Sequence, residues 1–525
     1  MDLLRLNLEG RKPSLPSQAE IRWQVGLLSS VLALAFNLLA RFAFGAPSVP
    51  ELMTERLFAV VPISLVEFAV SLLGIFAKHF AFIGCAAIYV ALLTVAATAF
   101  LHRSKKQGPV SIALFTLFIW FFTLVCVVPS LGFGFFGRNL PMGVVTVSLW
   151  LFFVYSLYGF FIGFFGGLFV EQTGKSVWLS RVSERWLSRR QMMAGLGYTL
   201  VAAGVYDIVA RPLWQWLRQS AAGLITGGSG IFPSIDGLAR EVSPTADFYQ
   251  VSKNAFDPHV EVHSWKLDVG GLVENPLSMT YSDIKALPAI EQYATLECIS
   301  NTVGGPLIDN ALWRGVKLKD VLERAHLKPG VLKIVLHASD HYSDSIPLGR
   351  ALEEGTLLAY AMNGEALNAI HGYPLRLIVP GIYGMKNVKW ITKIEAVDYD
   401  FKGYWQARGW DDKAEYKTMS RIDVPRKSFQ GKTTIAGIAF AGDRGVRTVE
   451  TSKDGGETWE QAEIKPAVSP YSWVLWHQEW TPAHPGNHAL VVRATDGAGH
   501  LQIAEEAPPI PDGASGFHHR KVKSG

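Results

Sequence analysis

Tyr293-Ala294-Thr295-Leu296-Glu297-Cys298-Ile299-Ser300-Asn301 runs from a β-type segment into a polar turn that continues through Gly304 and Gly305. A β-prone run closed by Asn and Gly predicts a strand ending in a loop. Cys298 stands at that edge. It is the only one of three cysteines outside a stretch that reads as membrane. A thiolate at a strand-to-loop edge is a soft ligand for a soft metal. A lone cysteine is also commonly a small buried hydrophobe, so spacing by itself leaves both readings open.

Up to about Arg211 the 525-residue chain is a series of long apolar runs, and beyond it the pattern is that of a soluble globular protein. The length accommodates three or more domains. The net charge of +4 is mild, and Lys and Arg form no stripe among aromatics, so nucleic acid is not an expected partner. Three cysteines, two of them in apolar runs, make no disulfide framework.

Five segments, near 23–44, 57–77, 80–101, 109–131 and 143–170, are apolar over the roughly twenty residues that cross a bilayer core. Residues 1–211 are therefore expected to form an α-helical membrane domain with the lipid bilayer as partner. Trp23, Trp120, Trp150 and Tyr158 are interfacial anchors or buried packing. Gly159, Gly163 and Gly167 share one helix face, where another helix can approach closely. Glu67 falls mid-span. It either relays protons and contacts a quinone, or is a protonated packing partner. His79 and His102 lie at span ends and no Cys-x-x-Cys-His occurs, so no haem is expected.

The basic loops at 103–106 and 175–190 read as cytoplasmic. Five spans then put the N-terminus outside, against the charge of Arg5, Arg11, Lys12 and Arg22. Ser188-Arg189-Arg190-Gln191-Met192-Met193 precedes a weakly apolar run, Ala194 to Ala210. This resembles a twin-arginine signal, or is an ordinary positive flank of a sixth, signal-like helix. A multi-pass protein of the inner (cytoplasmic) membrane with its soluble domains on the extracytoplasmic side is expected.

Residues 212–245 read as a linker, rich in Gly and Ser from Gly223 to Ser234. Over 246–428 short β-like runs (Trp265–Val269, Lys333–His337, Arg376–Val379) alternate with helical ones such as Leu318–Ala325, which predicts an α+β domain. Over 429–508, Thr433–Phe440, Thr448–Ser452, Trp473–Trp480 and Ala489–Ala494 alternate with period two, and Lys453-Asp454-Gly455-Gly456 is a turn joining two strands. An immunoglobulin-like β-sandwich is expected, with Trp459, Trp473 and Trp476 in its core, followed by a basic tail over 509–525.

Together these blocks resemble the sulfite oxidase family of molybdenum enzymes over roughly 245–505. Leu296-Glu297-Cys298 is similar to the family segment that supplies the molybdenum thiolate. Ala359-Tyr360-Ala361-Met362-Asn363-Gly364-Glu365 is followed by His371-Gly372-Tyr373-Pro374-Leu375-Arg376, then Val379-Pro380-Gly381, then Lys386-Asn387-Val388-Lys389-Trp390. The resemblance implies that His371, Arg376, Asn387, Val388 and Lys389 hold a molybdenum–molybdopterin cofactor. It implies the same of Asp340 and of the loop Val251-Ser252-Lys253-Asn254. The sandwich resembles the family's dimerisation domain, which implies a homodimer. Arg376 suits a phosphate as a bidentate fork and Lys389 as a point charge.

The chain departs from the family at Ser252, where sulfite oxidases carry arginine, at Asn254, where they carry histidine, and at Trp410, where they carry tyrosine. The family's C-terminal arginine lies in a tail segment this chain lacks. Lys253, Arg314, His341, Lys386 and Arg408 are the residues available to replace the lost charge. Cys298, Trp410 and Arg408 are the candidate catalytic residues. The expected activity is two-electron oxygen-atom transfer on a small-molecule sulfur or nitrogen compound, with a cytochrome or quinone as electron-transfer partner. The alternatives are a sulfite dehydrogenase proper, an S- or N-oxide reductase fed by membrane electrons, and a non-catalytic scaffold.

Overall fold

The computed structural model describes residues 18–44, 48–62, 65, 68–69, 77–103, 108–138, 140, 143–169, 235–254 and 257–525. They fall into a helical unit within the first 211 residues and a β-rich unit over the remainder. Glu67, the Arg189-Arg190 segment with its expected sixth helix, and the Gly/Ser stretch 223–234 lie outside the described residues.

The helical unit contains α1 (Gln18–Phe44), α2 (Val49–Val60), α3 (Ala77–Arg103), α4 (Pro109–Phe122, continued through a π turn to Ser130) and α5 (Gly143–Phe169). Among the described residues four stretches are long and apolar enough to cross a membrane: Arg22–Leu39, Ala77–Arg103, Pro109–Ser130 and Gly143–Gly166. The expected span at 57–77 is not among them. There, α2 starts with a Ser48/Glu51 capping box and its C-cap residue, Val61, is extended. Gly159 makes the α4–α5 contact possible, because a Cβ there would lie 2.2 Å from Thr116 Cγ2. Trp120 donates from Nε1 to Ser148 O at 2.9 Å, and buried Tyr158 donates to Leu93 O at 2.5 Å. Both are packing residues, whereas Trp23 is exposed.

The β-rich unit opens with a mixed sheet in the order β2 (Leu277–Thr280), β1 (Lys266–Gly271), β10 (Ile391–Val397), β5 (Lys333–Ala338), β6 (Ser343–Pro347), in which only β1 and β10 run parallel. A second sheet orders β3 (Ala289–Glu297), β4 (Ile308–Lys317), β7 (Leu357–Met362) and β8 (Glu365–Ala366), with β9 (Arg376–Ile378) also on β7. Helix α6 (Leu318–Ala325) buries Leu318, Val321, Leu322 and Ala325, the i, i+3, i+4, i+7 stripe that binds a helix to a core. It ends where His326 turns left-handed.

The sandwich pairs a sheet of β11 (Met419–Val424), β13 (Thr433–Phe440), β17 (Val474–Trp480) and β16 (Glu463–Ile464) with one of β12 (Ser428–Phe429), β19 (His518–Ser524), β18 (Gly486–Asp496), β14 (Val446–Ser452) and β15 (Glu460–Gln461). Three expectations need correction. The sandwich takes in β11, ahead of the expected boundary at 429. Its C-terminal residues are no tail, since β19 pairs with β18 from His518↔Val492 to Ser524↔Gly486 and buries Val522. Of the three tryptophans only Trp476 lies in the sandwich core. Trp473 packs into the core of the α+β domain and Trp459 lies over the Arg493 guanidinium at 4.0 Å. The 453–456 turn leads from β14 to the two-residue β15. The end of the expected linker is likewise packed: Leu238 joins the α+β core, and Ser243 N donates to Asn310 O at 2.8 Å.

Candidate active site

Burial deepens along β3, so its C-terminal end delivers Cys298 into the interior. Cys298 N donates to Leu307 O at 3.0 Å, extending the β3–β4 ladder by one bond. Beyond it, Asn301 folds the loop back. Its Nδ2 donates to Glu297 Oε1 at 2.9 Å and its Oδ1 accepts from Leu307 N at 2.9 Å. Gly305 is required there, since a Cβ would stand 2.4 Å from Asn301 Oδ1. The Cys298 thiol lies 2.9 Å from Ser300 Oγ, and burial pushes its pKa up. Without a cation it stays protonated; a metal ion inverts that balance. Among the described residues no three His, Cys, Asp or Glu side chains gather to hold a metal. A metal on Cys298 therefore needs ligands from a cofactor.

Cys298 opens onto a cavity of about 130 Å³. Val251, Ser252, Lys253, Asp340, His371, Arg376, Asn387, Val388, Lys389 and Trp410 line it too. Six chain segments thus bring most of the expected site together. Arg376 starts β9 with only 6% exposure; its Nη1 donates to His371 O at 3.1 Å and its Nε has no hydrogen-bond partner. Its guanidinium stands 5.0 Å from the Trp313 ring, and burial lowers its pKa to about 10. Gly372 is left-handed, at φ +110°, and a Cβ there would meet the Cβ atoms of Arg376 and Lys389 at 3.0 Å. The glycine keeps backbone and cations close together, as an anion cradle requires. Lys389 donates to Ile370 O at 3.1 Å. His371 donates from Nε2 to Thr245 O at 2.9 Å, and burial first, then Arg376 and Lys389, lowers its pKa to about 4. It is neutral at physiological pH.

An orphaned, buried guanidinium nitrogen in a cleft with a second cation fits a phosphate-bearing pterin, and the adjacent thiol fits its metal.

Other expected residues have different partners. The Asn387 side chain pins its own loop: Oδ1 accepts from Val379 N at 2.7 Å and Nδ2 reaches Tyr383 O at 3.2 Å. Only its backbone is left for a ligand. Asn254 does not line the cavity; it donates to Asp340 Oδ2 at 2.7 Å and accepts from Lys253 Nζ at 2.6 Å. Arg408 stands behind the wall, 3.7 Å from the Tyr404 ring centroid, and donates to Tyr404 O. Arg314 is exposed on β4 with Glu291, and Lys386 is held by carboxylates. Neither substitutes for a lost substrate cation. Sequence reasoning missed Trp405, which stacks on Trp410 at 4.2 Å with ring planes 11° apart, and Tyr342, both lining the cavity. Their proximity in sequence to Trp410 and Asp340 was the available signal.

Fold and cavity define a molybdenum-cofactor oxidoreductase domain followed by a β-sandwich. Comparison with known proteins agrees. The model of the oxidoreductase molybdopterin-binding domain matches residues 254–405, and that of the Mo-co oxidoreductase dimerisation domain matches 416–510. The sulfite oxidase of Arabidopsis thaliana is 30% identical over 328 residues, 50% of this chain and 83% of that protein. The uncharacterized oxidoreductase YuiH of Bacillus subtilis (strain 168) is 35% identical over 150 residues, 29% of this chain and 74% of that one. The crystal structure of the sulfane dehydrogenase SoxCD from Paracoccus pantotrophus is similar at 22% identity and a TM-score of 0.49, covering 58% of this chain and 89% of that one.

The chain belongs to the sulfite oxidase family. It is a molybdopterin oxidoreductase of that type, with a molybdenum–pterin cofactor.

Proposed function

We propose that the protein is a membrane-anchored molybdenum oxidoreductase that transfers an oxygen atom between water and a small, neutral sulfur or nitrogen compound. The observation that carries the substrate reading is the mouth of the cavity. Two stacked indoles, Trp405 and Trp410, form one wall. Lys253, on the facing loop, is committed to Asn254 Oδ1 at 2.6 Å and stands 3.8 Å from Asp340. A sulfite dianion needs several convergent, uncommitted cations. An aromatic wall and a neutralised lysine instead suit a substrate with an apolar face.

When bound, the molybdenum supplies the two-electron oxygen-atom transfer. The chain holds the metal through Cys298 and the pterin through Arg376, Lys389 and the backbone of 387–389. His371, neutral and fixed by Thr245, adds no charge to the phosphate site. The indole wall limits water at the mouth.

Support for membrane anchoring comes from the four apolar stretches and from one hydrogen bond, Arg22 Nη1 to His102 Nδ1 at 3.0 Å. That bond joins the start of α1 to the end of α3, so both ends share one side of the bilayer. With four spans, the N-terminal Arg5, Arg11 and Lys12 and the basic loops at 103–106 and 175–190 all fall on one side. The positive-inside rule makes that side cytoplasmic. The charge conflict of a five-span reading then disappears, and the weakly apolar 194–210 segment carries the catalytic domains outward. Electrons pass to or from a cytochrome or quinone partner, and the sandwich, which matches a dimerisation domain, pairs two copies.

The deciding assay is steady-state oxidation of sulfite by the molybdenum-replete protein with an artificial acceptor. The expected kcat/KM lies below about 10⁴ M⁻¹s⁻¹, the lower edge of efficient enzymes. Dimethyl sulfoxide and trimethylamine N-oxide, tested with reduced methyl viologen, are expected to turn over faster. A higher value for sulfite would make the protein a sulfite dehydrogenase.

A further inference from the structure

We propose that Lys386 is a positioning residue that sets the aromatic wall of the cavity from behind. The inference rests on the reading that the Trp405–Trp410 wall bounds the substrate. Lys386 lies between Met385 and Asn387, both of which line the cavity, yet its own side chain is turned away and almost fully buried. An ammonium has three donors. Lys386 Nζ meets three acceptors: Asp344 Oδ1 at 2.9 Å, Ser345 O at 3.0 Å and Asp412 Oδ1 at 2.8 Å.

The two carboxylates lead to opposite ends of the wall. Asp344, which is fully buried, lies within 3.2 Å of the Gln406 amide nitrogen when that amide is oriented to donate, and Gln406 follows Trp405. Asp412 lies two residues beyond Trp410, and its other oxygen accepts from Lys333 at 2.6 Å and Lys402 at 2.9 Å. Asp344 also accepts from Tyr342 OH at 3.0 Å, and Tyr342 lines the cavity. One ammonium therefore ties the loop at 384–390, which reaches the cofactor side, to both ends of the 405–412 segment. A buried ion network with each charge compensated holds one geometry tightly and fails when one partner is lost.

The Trp405–Trp410 contact itself supplies a readout that does not require turnover. In the loaded, full-length protein labelled with 5-fluorotryptophan, Trp405→Phe and Trp410→Phe assign the two ¹⁹F resonances. Asp412→Ala, at a part-exposed position, is expected to shift or broaden both of them while the other resonances stay in place. Lys386→Met should do the same and Lys386→Arg should restore them. With dimethyl sulfoxide as substrate, Asp412→Ala should raise KM by about tenfold and change kcat by less than about threefold. Both resonances at their wild-type positions in Asp412→Ala overturn the inference, even where Lys386→Met fails to fold. Shifted resonances with no turnover of either oxide support Lys386 as the positioning residue and sink the substrate reading instead.

Discussion

The floor and the mouth of the cavity use similar side chains and balance them in opposite ways. On the floor, Arg376 is buried with an unpartnered Nε and has no carboxylate partner among the described residues. Behind the mouth, Lys386 has two carboxylates and a carbonyl, and at the mouth Lys253 has Asn254 beside Asp340. A buried cation without a counter-charge is costly, and the cost is recovered when an anion arrives. The floor therefore leaves a cation that a phosphate-bearing cofactor would compensate, while the lysines at and behind the mouth already have counter-charges, and the buried Trp410 Nε1 is a donor left there without a partner. One region recruits an anion; the other has little left to offer one.

The largest effect expected is at the metal. Cys298→Ser should abolish turnover while the pterin remains bound, the outcome expected where Arg376 and Lys389 hold the organic part as proposed. Pterin fluorescence after extraction and the metal–sulfur signal in X-ray absorption check this, and unchanged turnover would remove Cys298 from the site.

Arg376→Met tests the floor directly. Two charge-assisted hydrogen bonds to a phosphate, at about 1.5–3 kcal/mol each, correspond to at least a hundredfold weaker cofactor retention. Molybdenum and pterin content of the purified variant measure it. Retention at the wild-type level would mean that the floor does not owe its incompleteness to the cofactor.

At the mouth the comparison predicts a gain. Ser252→Arg with Trp410→Tyr adds an uncommitted cation and a hydroxyl where two indoles now meet. The kcat/KM for sulfite should rise by about tenfold, the value of one modest new polar contact. No rise in an otherwise loaded enzyme would show that charge at the mouth does not set substrate choice.

The smallest effect concerns stability. Folded His371 accepts a proton only near pH 4, against 6.5 for an unperturbed histidine, because burial and then Arg376 and Lys389 oppose its charge. Between those values the unfolded chain binds the proton first, so stability falls as pH drops from 6.5 towards 4. His371→Gln should flatten that part of the thermal-denaturation profile relative to wild type. An unchanged slope would place the acid sensitivity elsewhere, with His518 the next residue to test, since burial lowers its pKa to about 4 as well.

Much of this was legible in the linear chain. The helix Leu318–Ala325 follows from a period-3.6 pattern that reports burial on one face, whereas β13, Thr433–Phe440, was legible as a strand but is buried on both faces from Ile435 to Phe440 rather than with the expected period of two. Cys298 stood out as the one cysteine outside the apolar runs, and His371, Arg376 and Lys389 because their blocks resemble those of the sulfite oxidase family in order and spacing. Partnership was not legible. Arg314, Lys386 and Arg408 read alike as spare cations, but they turn out to be a surface ion pair, a buried hub and a stack on Tyr404. The β19 strand read as a basic tail because His519, Lys521 and Lys523 face outward, and a strand with one solvated face looks like a charged end until its partner is known.

The residues alone determined that a thiol stands at a strand edge, that Gly- and Pro-punctuated blocks carry basic residues after it, and that an apolar region precedes two regions of globular pattern. Local patterns suffice for these, because burial face and turn chemistry are set within a few residues. The cofactor role of those blocks came from their resemblance to the sulfite oxidase family. Only the tertiary structure decided which charges are spent. Lys386 meets Asp344 and Asp412 across separations of 42 and 26 residues, while Arg376 meets no carboxylate among the described residues. Compensation depends on distance in space, and no period in the chain records it.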